Sequence, residues 1–136
     1  MNRTKLAAQL VAAARLILST PTRLSPHLKI NEIRQQKNEL FGSLSDLEVE
    51  ILDAVAGTGS CFGDDPKKKG GNGKIVLTRP RSAAKVIEDG QRVVNQLVRS
   101  GWLRFAPSPA VGFGLFWQTD VAEAVWRELG RRPRHR

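Results

Sequence analysis

Apolar residues recur at every third or fourth position in several stretches of this chain, as in helices that bury one face. The clearest stripe runs from Leu47 to Val55 and ends before Gly57. In front of it, Ser45 and Glu48 have the spacing of a capping box, in which hydroxyl and carboxylate each accept a hydrogen bond from a backbone amide. We therefore predict a helix that begins after Ser45 and ends before Gly57.

Two further helices are predicted upstream. The second covers about residues 28–41, with Gly42 as its stop. The first covers residues 4–18, where the apolar positions at helical spacing are Leu6, Leu10, Ala14 and Ile17. Because residues 1–31 are basic and contain no acid, they also share the composition of an organellar transit peptide. We favour the ordinary helix and keep organellar import as the alternative.

The stretch from Ala83 to Val98 allows two interpretations. Its apolar residues keep three- and four-residue spacing throughout, which predicts one helix from Ser82. Gly90 opposes this, since glycine inside a helix costs about 1 kcal/mol relative to alanine. A break at 88–90 would instead give a short helix and then a second one from Gln91, capped by Asp89. The sequence leaves both interpretations open.

Short strands are predicted on either side of this stretch. Residues 74–78 have β-branched, strand-like character, whereas the glycine-rich residues 57–73 predict a flexible exposed loop. After Ser100 and Gly101, a strand over 102–105, a Pro/Gly-rich tip and a second strand ending at Trp117 form a β-ribbon. Thr119 or Asp120 then caps a closing helix, and the basic tail after Gly130 is predicted to be disordered.

The net charge of the chain favours one class of binding partner. The 136 residues include 22 basic and 13 acidic side chains, giving a net charge of +9 and a pI near 10.6. Such an excess favours a polyanionic partner, most often nucleic acid. No stretch is long and apolar enough to predict a membrane span. The lone Cys61 cannot form an internal disulfide, so we expect a cytoplasmic protein, associated with the nucleoid if it binds DNA.

Nothing in the sequence indicates catalysis, a cofactor or a metal. A phosphate-loop interpretation of residues 70–74 fails, because Lys68 occupies the first glycine position and Ile75 replaces Ser or Thr. Asp64 and Asp65 fit a solvated turn better than a metal site. Cys61 lacks a nucleophile signature, and with only two histidines no zinc site of the Cys/His type can form. We therefore predict a protein that is not an enzyme.

Candidate nucleic-acid contacts fall into two groups. Phosphate contacts are expected from seven cations that occur without an intervening acid, and from one cation near the ribbon; these are Lys67, Lys68, Lys69, Lys74, Arg79, Arg81, Lys85 and Arg104. Base-edge contacts are expected from the polar side of the helix, namely Arg92, Asn95, Gln96 and Arg99. An ordinary solvated helix face has the same pattern. Glu88 and Asp89 would repel phosphate, and the ribbon tip carries no charge.

The three tryptophans also have two interpretations. Trp102, Trp117 and Trp126 could stack on nucleobases, but their apolar neighbours favour burial in the core.

At Val94, Leu97 and residues 101–103, followed by a ribbon and Thr119-Asp120, the chain resembles winged helix-turn-helix DNA-binding domains. The resemblance covers about residues 44–130. It implies an α+β, mostly α fold: a winged helix with a two- to three-stranded β-ribbon at 43–130, an N-terminal helical extension at 1–42 and a basic tail at 131–136. It departs from the usual pattern in a short or absent second helix, a long Gly/Lys loop, an apolar wing and Gln118 before Thr119.

The resemblance and the charge together predict a DNA-binding protein that acts in transcription regulation, with DNA favoured over RNA. Two alternatives draw on the same residues. The uncharged wing and the alanine-rich N-terminus suit a protein-interaction module, such as a phage or plasmid accessory factor or a subunit of a larger complex. The basic tail suits association with RNA or the ribosome. The small residues of 1–42 also suggest a homodimer.

Overall fold

Helices and strands occupy most of the residues that the computed structural model describes, which are 21–67, 73–107 and 113–131. The predicted helix over 4–18 and the tail beyond Arg131 lie outside these ranges. The helices are α1 (Ile30–Gly42), α2 (Asp46–Ala56), α3 (Gly90–Arg99) and α4 (Asp120–Glu128). The strands are β1 (Ser60–Asp64), β2 (Ile75–Thr78), β3 (Lys85–Ile87), β4 (Leu103–Pro107) and β5 (Phe113–Gln118).

The strands form one antiparallel sheet in the order β3-β2-β1-β5-β4. The α+β class is therefore confirmed, but the prediction of two or three strands is wrong. Alternation along each strand separates an inner face from an outer face. The inner face is fully buried at Cys61, Ile75, Leu77, Leu103 and Phe116.

β1 lies inside the stretch for which composition predicts a flexible loop. The one glycine of β1, Gly63, is closely packed. At Gly63, a side-chain Cβ would meet the Gln91 amide oxygen at 2.8 Å and the Phe116 ring at 2.9 Å. Glycine is a weak strand former, so composition alone predicts a loop where the tertiary contacts impose a central strand.

Strand β3 tests the two interpretations of residues 82–100. One helix from Ser82 is wrong, and so is a short helix before the break, because Lys85–Ile87 pairs with β2 as β3. The helix after the break is confirmed, with Gly90 as its first residue. Asp89 occupies the N-cap position, but its side chain makes no capping hydrogen bond. The helical spacing of Val86 and Ile87 is thus a coincidence within a strand.

The caps that the sequence predicts for α2 and α4 are both present. The Glu48 amide donates to Ser45 Oγ at 3.2 Å, and the Ser45 amide donates to Glu48 Oε1 at 2.7 Å. The first turn of α4 is capped by Thr119, whose Oγ1 accepts from the Ala122 amide at 3.2 Å. Both caps act within four residues, which is why the sequence alone could predict them.

Two of the tryptophans lie in the core, as predicted. Trp102 and Trp126 are buried and pack edge to face, with ring centroids 6.0 Å apart. Phe41 of α1 lies against Trp126, and Ile33 of α1 belongs to the same core. The domain boundary predicted between residues 42 and 43 therefore falls within one hydrophobic core.

Asp53 of α2 ties the C-terminal end to this core. Its carboxylate accepts from Trp126 Nε1 at 2.7 Å and from Arg131 Nη2 at 3.1 Å. The Arg131 guanidinium also lies 4.7 Å from the Phe41 ring centroid, in cation–π contact. The first residue of the tail for which the sequence predicts disorder is thus anchored.

The turn between α3 and β4 depends on Gly101, which has a φ of +87°. A Cβ at this position would also overlap the carbonyl oxygen of Leu24. We expect Gly101→Ala to lower the free energy of unfolding by about 3 kcal/mol, because the left-handed backbone penalty adds to a clash with main chain.

Gly130→Ala is the matched control for Gly101→Ala. Gly130 also has a positive φ, +75°, but a Cβ added there would have nothing within 4 Å. This variant should lose only about 1 kcal/mol. Urea unfolding followed by tryptophan fluorescence measures both values, and equal losses would show that the Leu24 contact contributes nothing.

Candidate nucleic-acid interface

The start of α3 is fixed to the end of β1 by the buried side chain of Gln91. Its Oε1 accepts from the Asp64 amide at 2.9 Å, and its Nε2 donates to the Asp64 carbonyl at 2.9 Å and to Asn95 Oδ1 at 2.8 Å. The backbone amide of Gln91 donates to the Gly73 carbonyl at 3.0 Å. Residues 65–74, which we call the lysine loop, therefore leave and re-enter the sheet beside the first turn of α3.

The polar side of α3 lies opposite its buried residues, as predicted. Arg92, Asn95, Gln96 and Arg99 follow one another at three- and four-residue spacing, and none of them is buried. We call these four residues the α3 stripe. Arg92 and Arg99 are exposed, whereas Asn95 is half-buried and held by Gln91.

Two of the predicted cations near α3 form ion pairs with acidic side chains. Arg92 Nη2 lies 2.6 Å from Asp89 Oδ2, and Lys74 Nζ lies 3.7 Å from Glu88 Oε1. Lys67 of the lysine loop is exposed. Lys68 and Lys69 lie outside the described residues. The two acids that the sequence placed against phosphate binding are thus partly neutralised by the cations beside them.

Three more of the predicted cations lie at the other end of β2, two in the turn from β2 to β3 and Lys85 at the start of β3. Lys85 Nζ lies 2.8 Å and Arg79 Nη2 lies 3.8 Å from the same carboxylate oxygen, Glu50 Oε2 on α2. Between them, Arg81 is exposed and has a φ of +62°. The structure therefore separates the described cations of this run, with Lys74 beside the start of α3 and Arg79 and Lys85 paired with α2.

Arg104 lies apart from both groups, on β4. It is exposed on the outer face of the sheet, directly opposite Trp117 of β5. Trp117 is 43% exposed, so the expectation that it belongs to the core is wrong. The strand period contains the signal that could have placed it, because Trp117 alternates with the buried Phe116 and Gln118.

The charge of the described residues is nearly balanced. They contain 14 of the 22 basic residues and all 13 acidic ones, which leaves a net charge of +1. The other eight basic residues belong to residues 1–20, 68–72 and 132–136. The same separation is visible in the sequence, because these three stretches contain no acid.

Cys61 is the cysteine for which the sequence shows no nucleophile signature. It is fully buried on the inner face of the sheet, and desolvation raises the pKa of its thiol from 9.0 to about 12. The neutral thiol therefore persists at physiological pH. Among the residues that the structure describes, no three His, Cys, Asp or Glu side chains form a group that could hold a metal ion.

Comparison of the chain with protein-family models, with curated proteins and with solved structures found no significant match. Within the described ranges, no helix is both long enough and apolar enough to cross a membrane.

Replacing Gln91 tests how α3 is held. We expect Gln91→Leu to lower the free energy of unfolding by about 2–3 kcal/mol, because the part-buried Asp64 amide and carbonyl lose their hydrogen bonds to the Gln91 side chain. The Asp64 amide should also exchange faster with solvent, which NMR measures.

Gln96→Leu is the matched control on the same helix. The Gln96 side chain makes no hydrogen bond to a described residue, so this change should alter stability by less than about 0.5 kcal/mol. Equal effects of the two substitutions would show that the Gln91 hydrogen bonds do not hold α3 in place.

Proposed function

We propose that this protein is a non-enzymatic nucleic-acid-binding protein that contacts double-stranded DNA through the α3 stripe and the lysine loop. The observation that carries the proposal is the α3 stripe, in which Arg, Asn and Gln side chains lie at i, i+3, i+4 and i+7 and the two arginines are exposed. These are the side chains whose donors and acceptors match base edges in the major groove.

The position of the lysine loop supports the same proposal. Gln91 holds both ends of the loop beside the first turn of α3, so phosphates that flank a groove occupied by the helix would lie near Lys67 and Lys74. Helix α3 also leads through residues 100–102 directly into the β4–β5 hairpin, in the order expected for a winged helix. Between α2 and α3, however, the described residues form three strands and no helix. We therefore propose a winged-helix variant in which strands replace the second helix.

The charge distribution favours binding that depends strongly on salt. With the body nearly neutral, most phosphate contacts come from the lysine loop and from the basic residues at both ends of the chain. About five such contacts would weaken binding by roughly several hundredfold between about 50 and 200 mM salt. A regulator of transcription that binds in the cytoplasm or nucleoid is the role that this chemistry suits.

Arg99→Gln tests the α3 stripe. Arg99 has no acidic partner among the described residues, so it can reach a phosphate or base without breaking an ion pair. We expect weaker binding to a duplex and a salt slope reduced by about 1 in a fluorescence-anisotropy titration. Arg127→Gln on α4 removes the same charge outside the proposed interface and should leave both quantities unchanged. Equal losses would indicate attraction by net charge alone.

Asp89→Asn tests whether duplex binding tightens when an acidic side chain beside the α3 stripe is removed. Removing this carboxylate frees Arg92 and ends a repulsion, so duplex binding should tighten by about fivefold at low salt. Glu123→Gln is its charge-matched control, because it frees Arg127 on α4 in the same way. If both variants bind equally well, or Asp89→Asn binds no better than the wild type, α3 does not contact the duplex.

One observation favours the protein-interaction alternative, namely that four predicted cations already have acidic partners: Lys74, Arg79, Lys85 and Arg92. The ultraviolet absorbance ratio of a gently purified sample, before and after separate DNase and RNase treatment, distinguishes the alternatives. A bound polymer sensitive to DNase supports the proposal. A polymer sensitive only to RNase, or a stoichiometric protein without nucleic acid, contradicts it.

A further inference from the structure

The hairpin that joins β2 to β3 is exposed along its whole turn. Residues 79–86 are all exposed, and β3 lies at the edge of the sheet, where it pairs only with β2. The chain reverses direction through residues 79–82, which we call the hairpin tip. Across the tip, the Ser82 amide donates to the Arg79 carbonyl at 3.3 Å. The tip is therefore a closed four-residue turn that is open to solvent.

Arg81 has an unfavourable backbone conformation in this turn. Pro80 is the second residue of the tip, and Arg81 is the third, with a φ of +62°. This order is typical of a type II turn, whose third position favours glycine or asparagine because other side chains are strained there. Among the described residues, Arg81 alone combines a positive φ with a side chain. Strained residues of this kind cluster at binding sites, so the arginine itself calls for a functional explanation.

The residues on either side of Arg81 are fastened to α2. Arg79 Nη2 donates to the Glu50 carbonyl at 3.3 Å, and Lys85 Nζ donates to Glu50 Oε2 at 2.8 Å. Arg81 lies between these two contacts and makes no hydrogen bond or ion pair to a residue that the structure describes. Its guanidinium is thus an uncompensated charge at the end of an anchored turn.

The charge and size of the tip suit a narrow groove between phosphates. The sequence has no acid between Asp65 and Glu88, and the side chains next to Arg81 are small, namely Pro80, Ser82, Ala83 and Ala84. The minor groove of B-DNA is only about 6 Å wide, which excludes a helix but admits one long side chain. In A·T tracts this groove narrows further, and its negative potential attracts an inserted arginine.

We propose that the hairpin tip inserts Arg81 into the minor groove of an A·T-rich duplex. This inference rests on the proposed duplex binding and adds a contact separate from the α3 stripe and from the β4–β5 hairpin. The strand registers place Thr78, before the tip, and Leu103, after α3, at the same end of the sheet. Three strand spacings from β2 to β4 amount to about 14 Å. Neighbouring major and minor grooves lie half a helical turn apart, about 17 Å.

Fluorescence-anisotropy titration of the full chain with three duplexes of equal length tests this contact. Their central pairs are A·T, inosine·cytosine or G·C, and inosine·cytosine has the minor-groove edge of A·T but the major-groove edge of G·C. We expect the wild type to bind the first two duplexes about tenfold more tightly than the G·C duplex. Arg81→Asn should bind all three with the affinity of the wild type for G·C. Because asparagine tolerates a positive φ, this variant should also melt about 3 °C higher than the wild type.

Arg23→Asn is the matched control, because it removes the same charge from an exposed arginine outside the hairpin and should keep the preference for A·T and inosine·cytosine. A wild type that binds A·T more tightly than inosine·cytosine overturns the inference, since the contact then lies in the major groove. Equal losses on all three duplexes in Arg81→Asn also overturn it, because Arg81 then contacts phosphate alone. Duplex binding without any preference overturns this inference and leaves the proposed function standing, whereas a wild type that binds no duplex overturns both.

Discussion

The side chain of Gln91 is the contact on which the arrangement of the candidate interface depends. It is buried at the start of α3, where its amide bonds both backbone groups of Asp64 and the side chain of Asn95. An unpaired amide at this depth would cost about 1–3 kcal/mol, and the two bonds to Asp64 hold α3 to the end of β1. As a consequence, Asp64 before the lysine loop and Gly73 near its end are both bonded to Gln91, the residue beside Arg92.

The excess of positive charge in this protein is concentrated in particular stretches of the sequence. Acids and bases of the described residues nearly cancel, and Glu50 alone engages both Arg79 and Lys85. Exposed ion pairs of this kind contribute little to stability, so a polyanion could exchange them at small cost. Most of the net charge of +9 therefore comes from residues 1–20, 68–72 and 132–136.

Sequence reasoning succeeded where a signal acts over a few residues. The capping box at Ser45, the cap at Thr119 and the β4–β5 hairpin were all predicted, because each depends on neighbouring residues. It failed at β1, where the closely packed Gly63 lies in a glycine-rich stretch typical of a loop, and at β3, where a three-residue strand shared the spacing of a helix. For the candidate site, it predicted the polar side of α3 but not the ion pairs that engage four of the predicted cations.

The sequence by itself determined the α+β class, the helices with local caps and the polar side of α3, since backbone preference and short-range periodicity are written in adjacent residues. Only the tertiary structure decided that five strands form one sheet, that the cations of 67–85 divide between two ends of β2, and that Trp117 faces outward. Strand pairing joins residues far apart in the chain, such as Cys61 and Phe116, and its partners follow from packing rather than from local pattern.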